Sequence, residues 1–338
     1  MKRRIAYIDI LRALAIILVI VGHIPYPGFN PEIKKWVYSF HIPLFFFVSG
    51  MTMSFTNYKT IRLKDNLKKR FCHIYLPYLI WAIILALPNI TLLSIPKILY
   101  GTHQSIASVS NSSLWFLPVL FLSIVLIDLI IYSLTKKRRN SYTLTLPFIF
   151  LAISLIIPSQ PTIQSIFQGH NLPFGLDIIP VASIFIITGY LFQDYKNRHP
   201  KKHFSPICTF FILITSIVSI TSFGLNNEVV YALMAENRYG NYFYFLIASF
   251  SGIIMSIIMS ISIEKHTKRL SKLLQIIGAN TLIIFILQKY PLALTNEALL
   301  LMPFSISNWV LIPINIIIVT PICLTISLLF KKHAPILT

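Results

Sequence analysis

Residues 5–24 read IAYIDILRALAIILVIVGHI, an apolar run of membrane-spanning length with Asp9, Arg12 and His23 set inside it. About twenty apolar residues suffice to cross a bilayer as a helix. Ionisable groups are costly there, so they face a protein interior or a watery cavity and usually serve a function. Ten residues separate Arg12 from His23. Eleven steps of about 100° return to within roughly 20° of the same helix face, about 16 Å further along the axis. One face of one helix thus presents a cation near one membrane surface and a possible base near the other.

The rest of the chain repeats the pattern. Of its 338 residues, 56% are hydrophobic and only 12% charged, a balance that excludes a soluble domain. Ten spans are expected, at about 5–24, 36–55, 72–93, 114–134, 142–158, 172–193, 204–223, 242–263, 273–294 and 309–330. The expected fold is therefore an all-α integral membrane protein, one polytopic unit over 1–338 with no soluble domain. No cleavable signal peptide is expected, because the first run is long, contains Arg12 and lacks a small-residue cleavage pattern.

A net charge of +19 would fit a nucleic-acid partner only if the basic residues shared one soluble surface. They do not. Of the 29 Lys and Arg, 23 fall in the N-terminus, the C-terminus and alternate loops, including Lys59–Arg70, Lys136–Arg139, Lys196–Lys202 and Lys265–Lys272. The other loops hold only Lys34, Lys35, Lys97 and Arg238, while Arg12 and Lys289 lie within spans. The asymmetry follows the positive-inside rule and places both termini in the cytoplasm. Cys72, Cys208 and Cys323 all fall in the inner half, so no disulfide framework is expected. No Cys/His clustering signals a metal site. No internal repeat is visible, which weakens a transporter reading.

Depth sorts the remaining polar residues. Asp9 and Arg12 lie inward and His23 outward. His41, Trp115, Asp177 and Gln288 join His23 in an expected outer cluster, while Arg70 stands at the inner mouth of the third span. Each has two readings. His23 could remove a proton from an attacking hydroxyl, or could be an interfacial histidine with a satisfied neighbour. Arg12 could meet an anionic or carbonyl group, or could simply pair with Asp9 three residues earlier. His41 could orient His23 or bind the acceptor, or could be a packed histidine. Trp115 could stack on a sugar ring or sit in the interfacial aromatic belt. Lys289 is read as snorkelling, and Arg70 as part of the basic inner loop or as a phosphate contact. Asn111-Ser112-Ser113 matches a glycosylation sequon, a short motif common by chance. No serine-nucleophile motif, phosphate-cradling glycine loop or paired carboxylates appear. A base-assisted direct transfer is the economical chemistry, and a covalent acyl-histidine is compatible with the same residues.

The residues resemble a known family. Tyr7 to Ala15 with Val21-Gly22-His23 looks like the opening of the membrane acyltransferase-3 family, whose hallmark is an Arg and a His with ten residues between. Phe40 to Gly50 resembles its second helix in the fucose 4-O-acetylase-like version. Lys69-Arg70-Phe71 with Leu76-Pro77-Tyr78, Leu114 to Leu117, and Gly278 to Leu282 resemble later blocks in order. The resemblance implies a ten-helix core and transfer of an acyl group to a hydroxyl of a surface glycan or lipid-linked sugar. The donor it implies is usually cytoplasmic acetyl-CoA, serving as a co-substrate. It implies a catalytic His23 with an essential Arg12. The family often carries a histidine where this chain has Gln288. Members acting on distant polymers often carry an extra soluble domain, and its lack here favours a sugar presented at the membrane face.

The expectation is thus a multi-pass O-acyltransferase of the inner membrane. Asp9, Arg12, His23 and His41 would carry catalysis, Arg12 and Arg70 would meet the donor, and Trp115, Asp177 and Gln288 the acceptor. The competing class is a polytopic transporter or flippase for a sugar-linked or anionic solute. Binding of acetyl-CoA separates the two.

Overall fold

A computed structural model describes residues 5–136, 140–156, 171–199, 208–226, 230–303 and 306–333. Basic residues 2–4, 137–139 and 201–202, most of the expected outer loop 158–172, and the Cys208 side chain lie outside the described residues.

The described residues are helical nearly throughout. Their helices are α1 (Ala6–Gly22), α2 (Pro31–Met53), α3 (Leu63–Arg70), α4 (Leu76–Ala86), α5 (Ser94–Tyr100), α6 (His103–Ala107), α7 (Phe116–Lys136) and α8 (Leu146–Ile156). There follow α9 (Ile179–Arg198), α10 (Cys208–Gly224), α11 (Tyr242–His266), α12 (Lys268–Gly278), α13 (Thr281–Leu287), α14 (Lys289–Leu300) and α15 (Asn308–His333). Among the described residues β structure is limited to one isolated bridge, Leu233 with Arg238.

Among the described residues, six helical stretches are long and apolar enough to cross a membrane: Pro31–Met53, Leu63–Ala86, Ser112–Lys136, Pro173–Arg198, Tyr242–His266 and Asn308–His333. The pair α12 and α13 makes a seventh if taken as one broken span, bent by 66°. Helices also occupy the remaining expected spans but are short. α1 has 17 residues and α8 has 11. The structure therefore shows a multi-pass helical membrane protein.

The expected span 273–294 is not one continuous helix. Backbone crowding helps to explain the break. A Cβ at Gly278 would stand 1.8 Å from the Asp9 carbonyl oxygen, so α12 meets α1 backbone to backbone at its last residue. The chain then turns at Ala279 and Asn280. Their exposed polar groups are met from α15: Lys331 Nζ donates to the Ala279 carbonyl at 2.8 Å, and Ser327 Oγ to Asn280 Oδ1 at 2.9 Å. Helix-terminal carbonyls at membrane depth need such partners. A second departure precedes α4, where Phe71–Tyr75 form a π-turn. Pro77 has no N–H to reach back to the carbonyl of His73, and that missing bond favours a widened turn upstream.

Two compact units emerge, Met1–Phe45 with Phe204–Ala232 and Tyr239–Thr338, and Phe46–His203 with Leu233–Arg238. In the first, α1 is enclosed by α11, α12, α13 and α15. Ile10, Leu11, Ala13, Ala15, Ile16, Val19 and Ile20 are all fully buried, as expected of a helix apolar on nearly every side. Serines stitch the neighbouring helices: Trp36 Nε1 donates to Ser219 Oγ at 3.2 Å, and Ser249 Oγ to the Ser39 carbonyl at 2.6 Å. In the second unit the end of α2 crosses α9 at two glycines. A Cβ at Gly50 would lie 1.8 Å from the Ile186 carbonyl oxygen, and one at Gly189 2.0 Å from that of Phe47. Reciprocal glycines let helix backbones touch, as close packing in a membrane favours.

Candidate functional site

α1 sets the site because its two ends differ chemically. It begins after an extended Ile5 and has Asp9 in its first turn, where the helix dipole favours an anion. It ends at Gly22, with His23 as C-cap; Pro25 and Pro27 then prevent continuation.

At the first end, Arg12 Nη1 bonds Asp9 Oδ1 at 3.1 Å, and the Arg12 side chain keeps 33% of its surface exposed while that of Asp9 keeps 8%. The pairing foreseen at spacing three is therefore present, yet it does not bury the cation. Arg12 lines a cavity of about 120 Å³ whose wall is the bend between α12 and α13, with Ser327 and Lys331 of α15 beside it.

At the second end, His23 Nδ1 lies 2.8 Å from the Val19 carbonyl oxygen. A carbonyl only accepts, so Nδ1 carries a proton and donates, and in the neutral imidazole Nε2 then holds the lone pair. His41 is 2% exposed and repeats the arrangement on the Val37 carbonyl at 2.8 Å. The two imidazoles approach edge to face, 6.3 Å between centroids. Tyr38 lies 5.9 Å from the His23 ring, 4.9 Å from the His41 ring and 4.9 Å from Tyr231. Lys34 Nζ stands 5.8 Å and 5.4 Å from the centroids of Tyr38 and Tyr231, within cation–π range. Gly22 permits this. A Cβ there would meet the Tyr38 side chain at 3.1 Å and that of Val37 at 3.2 Å, so a larger residue would require these neighbours to give by a few tenths of an ångström.

The fifth residue of this unit named from the sequence, Gln288, is the joint between α13 and α14. It is fully buried, and among the described residues neither its amide oxygen nor its nitrogen has a hydrogen-bond partner.

The other expected residues belong to the second unit. Arg70 donates from Nε to Asp128 Oδ2 at 2.9 Å and from Nη2 to Oδ1 at 3.4 Å. Asp128 is fully buried and also accepts from the Tyr58 hydroxyl at 2.5 Å. Burial, then the Asp128 charge, push the Tyr58 phenol well above its ordinary range, so it stays protonated and donates. Arg70 is thus anchored by a buried carboxylate rather than loose in the basic loop. Trp115 is 6% exposed at the end of a short 3-10 turn, edge to face with Phe116. Asn111 caps that turn by accepting from the Ser113 amide at 3.0 Å and is 7% exposed, so the sequon residue has a local structural role. Asp177 is 2% exposed and accepts from Asn171 Nδ2 at 3.1 Å.

Tyr38, Tyr231, Asp128, Asn280, Ser327 and Lys331 were not singled out from the sequence. Tyr38 carried a usable signal, since it precedes His41 by three residues and shares its helix face. Asp128, a lone carboxylate in an apolar span, carried another. Lys331 contributed only to the inner charge count.

An acyltransferase-domain family model matches residues 5–328 of the chain, a stretch that contains every candidate site residue named from the sequence. No curated protein matches it.

Proposed function

The chain belongs to the acyltransferase-3 family of membrane acyltransferases, and from that premise we propose that it is an O-acyltransferase. It moves an acetyl group from cytoplasmic acetyl-CoA to a hydroxyl of a cell-surface glycan or lipid-linked sugar. The proposal includes ten spans, cytoplasmic termini, an inner-membrane location and the fucose 4-O-acetylase-like subgroup.

The observation carrying this reading is the polarity of α1, with a cationic cavity at Arg12 and an imidazole of defined tautomer at His23. In the proposed reaction, His23 Nε2 takes the proton of the acceptor hydroxyl. The hydroxyl oxygen attacks the thioester carbonyl; the C–O bond forms and the C–S bond breaks. The coenzyme leaves as thiolate and becomes the thiol with the proton that the His23 imidazolium gives up, which restores the base. Val19 holds the imidazole through Nδ1, so its basic nitrogen faces a fixed direction. His41 and Tyr38 position it, and Asp9 orients Arg12. Arg12 lies about 16 Å along the axis from His23, so it meets the coenzyme arm or a phosphate rather than the reacting carbonyl.

Arg70, set by Asp128, is proposed to offer its remaining N–H groups to a donor phosphate. Trp115 and Asp177 are proposed for the acceptor. Gln288 is proposed for the same role on its own ground, a buried amide whose two polar atoms need partners among the described residues.

Isotope-labelled acetyl-CoA supplied to membranes containing the protein tests the proposal. Label should appear in surface glycan or lipid-linked sugar by mass spectrometry and be absent from membranes lacking the protein. Equal labelling in both would reject it, and so would an unsubstituted protein that binds no acetyl-CoA.

A further inference from the structure

The cavity beside Arg12 is more cationic than α1 alone makes it. Lys331 reaches it from the last turn of α15, and Ser327 lies four residues earlier on the same helix face. Opposite them runs the main chain of the bend at Ala279 and Asn280. That wall is fixed, because Gly278 already touches the Asp9 backbone and has no room to move inward. The bonds from Lys331 to the Ala279 carbonyl and from Ser327 to Asn280 tie α15 to the bend and hold the ammonium at the cavity instead of out in bulk water.

Two of the lining side chains are cations and three, Asn280, Thr281 and Ser327, are neutral polar groups; among the described residues no carboxylate lines the cavity. Asp9 offsets part of the Arg12 charge from behind. The lining therefore suits anionic oxygens, and a guanidinium and an ammonium lining one cavity of about 120 Å³ match phosphate in particular.

We infer that this cavity is a phosphate subsite, with Lys331 as its second cation and Ser327 and Asn280 as positioning residues, and that the phosphate belongs to the acyl donor's coenzyme. The inference rests on the donor reading above. It adds a residue of the last helix to donor recognition and makes the α12–α13 bend part of the binding site. A lipid headgroup offers the same chemistry, so the test separates the two sources.

The protein is reconstituted in nanodiscs of phosphatidylcholine alone and titrated with acetyl-CoA and with acetyl-pantetheine, which bears the same thioester and no phosphate. Lys331→Gln removes the charge but keeps an N–H for the Ala279 carbonyl, so the bend stays capped. It should weaken acetyl-CoA binding by about tenfold to a hundredfold, the range for a lost charge-assisted hydrogen bond, and leave acetyl-pantetheine unchanged. Lys331→Arg should keep most of the affinity. Lys332→Gln, at an exposed neighbour, should change neither ligand. Equal loss for both ligands, or for neither, would overturn the assignment while the donor reading stands. Loss confined to anionic phosphatidylglycerol nanodiscs, with acetyl-CoA binding intact, would assign the phosphate to lipid and also overturn it. No acetyl-CoA binding by the unsubstituted protein would remove the donor reading and the assignment together.

Discussion

Gly278→Ala adds one carbon at the point where two backbones touch. The new Cβ would lie 1.8 Å from the Asp9 carbonyl oxygen, 2.7 Å from its carbon and 3.1 Å from its Cα. Ordinary contact begins near 3.4 Å, so α1 and α12 must part by about 1.6 Å at this point. No flexible side-chain end is available to yield, because the obstacle is main chain. Overpacking of this kind costs roughly 1–3 kcal/mol. The displacement falls on Asp9, one turn from Arg12, and on the bend that walls the cavity, so it changes the spacing on which donor binding depends. A shift of about 1 Å away from the chemistry can cost roughly a hundredfold in rate. Gly224→Ala is the control, since a Cβ there meets nothing within 4 Å. Thermal unfolding followed by tryptophan fluorescence, with acetyl transfer measured on the same preparations, should show a destabilised and strongly slowed Gly278→Ala beside a normal Gly224→Ala. A Gly278→Ala protein of unchanged stability and rate would refute the claim that this contact sets the site.

Replacing either Arg70 or Asp128 with Ala should cost about 3–5 kcal/mol, because each change leaves a buried partner uncompensated. The double substitution should cost clearly less than the two single losses combined; a simple additive result in denaturant titrations would mean the pair is not coupled. Tyr38→Ala should slow acyl transfer by up to about tenfold through loss of ring contacts worth roughly 0.5–1.5 kcal/mol each, while Tyr38→Phe should stay near normal. Equal impairment of the two in a turnover assay would place the effect on the hydroxyl instead.

The hydrophobic runs made helical membrane architecture legible, since twenty-residue apolar segments have few alternatives. The Arg12–Asp9 pair was legible too, because helical spacing of three brings side chains together. The break at 278–281 was not. It depends on Gly278 meeting a backbone more than 260 residues earlier in the chain, and no local propensity announces that. Arg70 read as an inner-loop charge or a phosphate contact, and its anchoring went unseen because its partner Asp128 is 58 residues away in an apolar helix. The proximity of His23 and His41 was anticipated from depth alone. Tyr231, which completes the aromatic set, comes from a distant loop and carries no signal at that distance. Trp115, Asp177 and Gln288 were grouped by depth; the structure adds that each is buried, and what each does locally is a matter of neighbours the sequence does not display.

The most direct measurement concerns His23. In reconstituted protein, acetyl-CoA binding and acetyl transfer should be followed side by side for the unsubstituted chain and for His23→Ala. Binding should stay within a few-fold and the fold should remain intact, while transfer falls by about a hundredfold to ten-thousandfold, as for a lost general base. Turnover at the unsubstituted rate from His23→Ala would contradict the account at its centre.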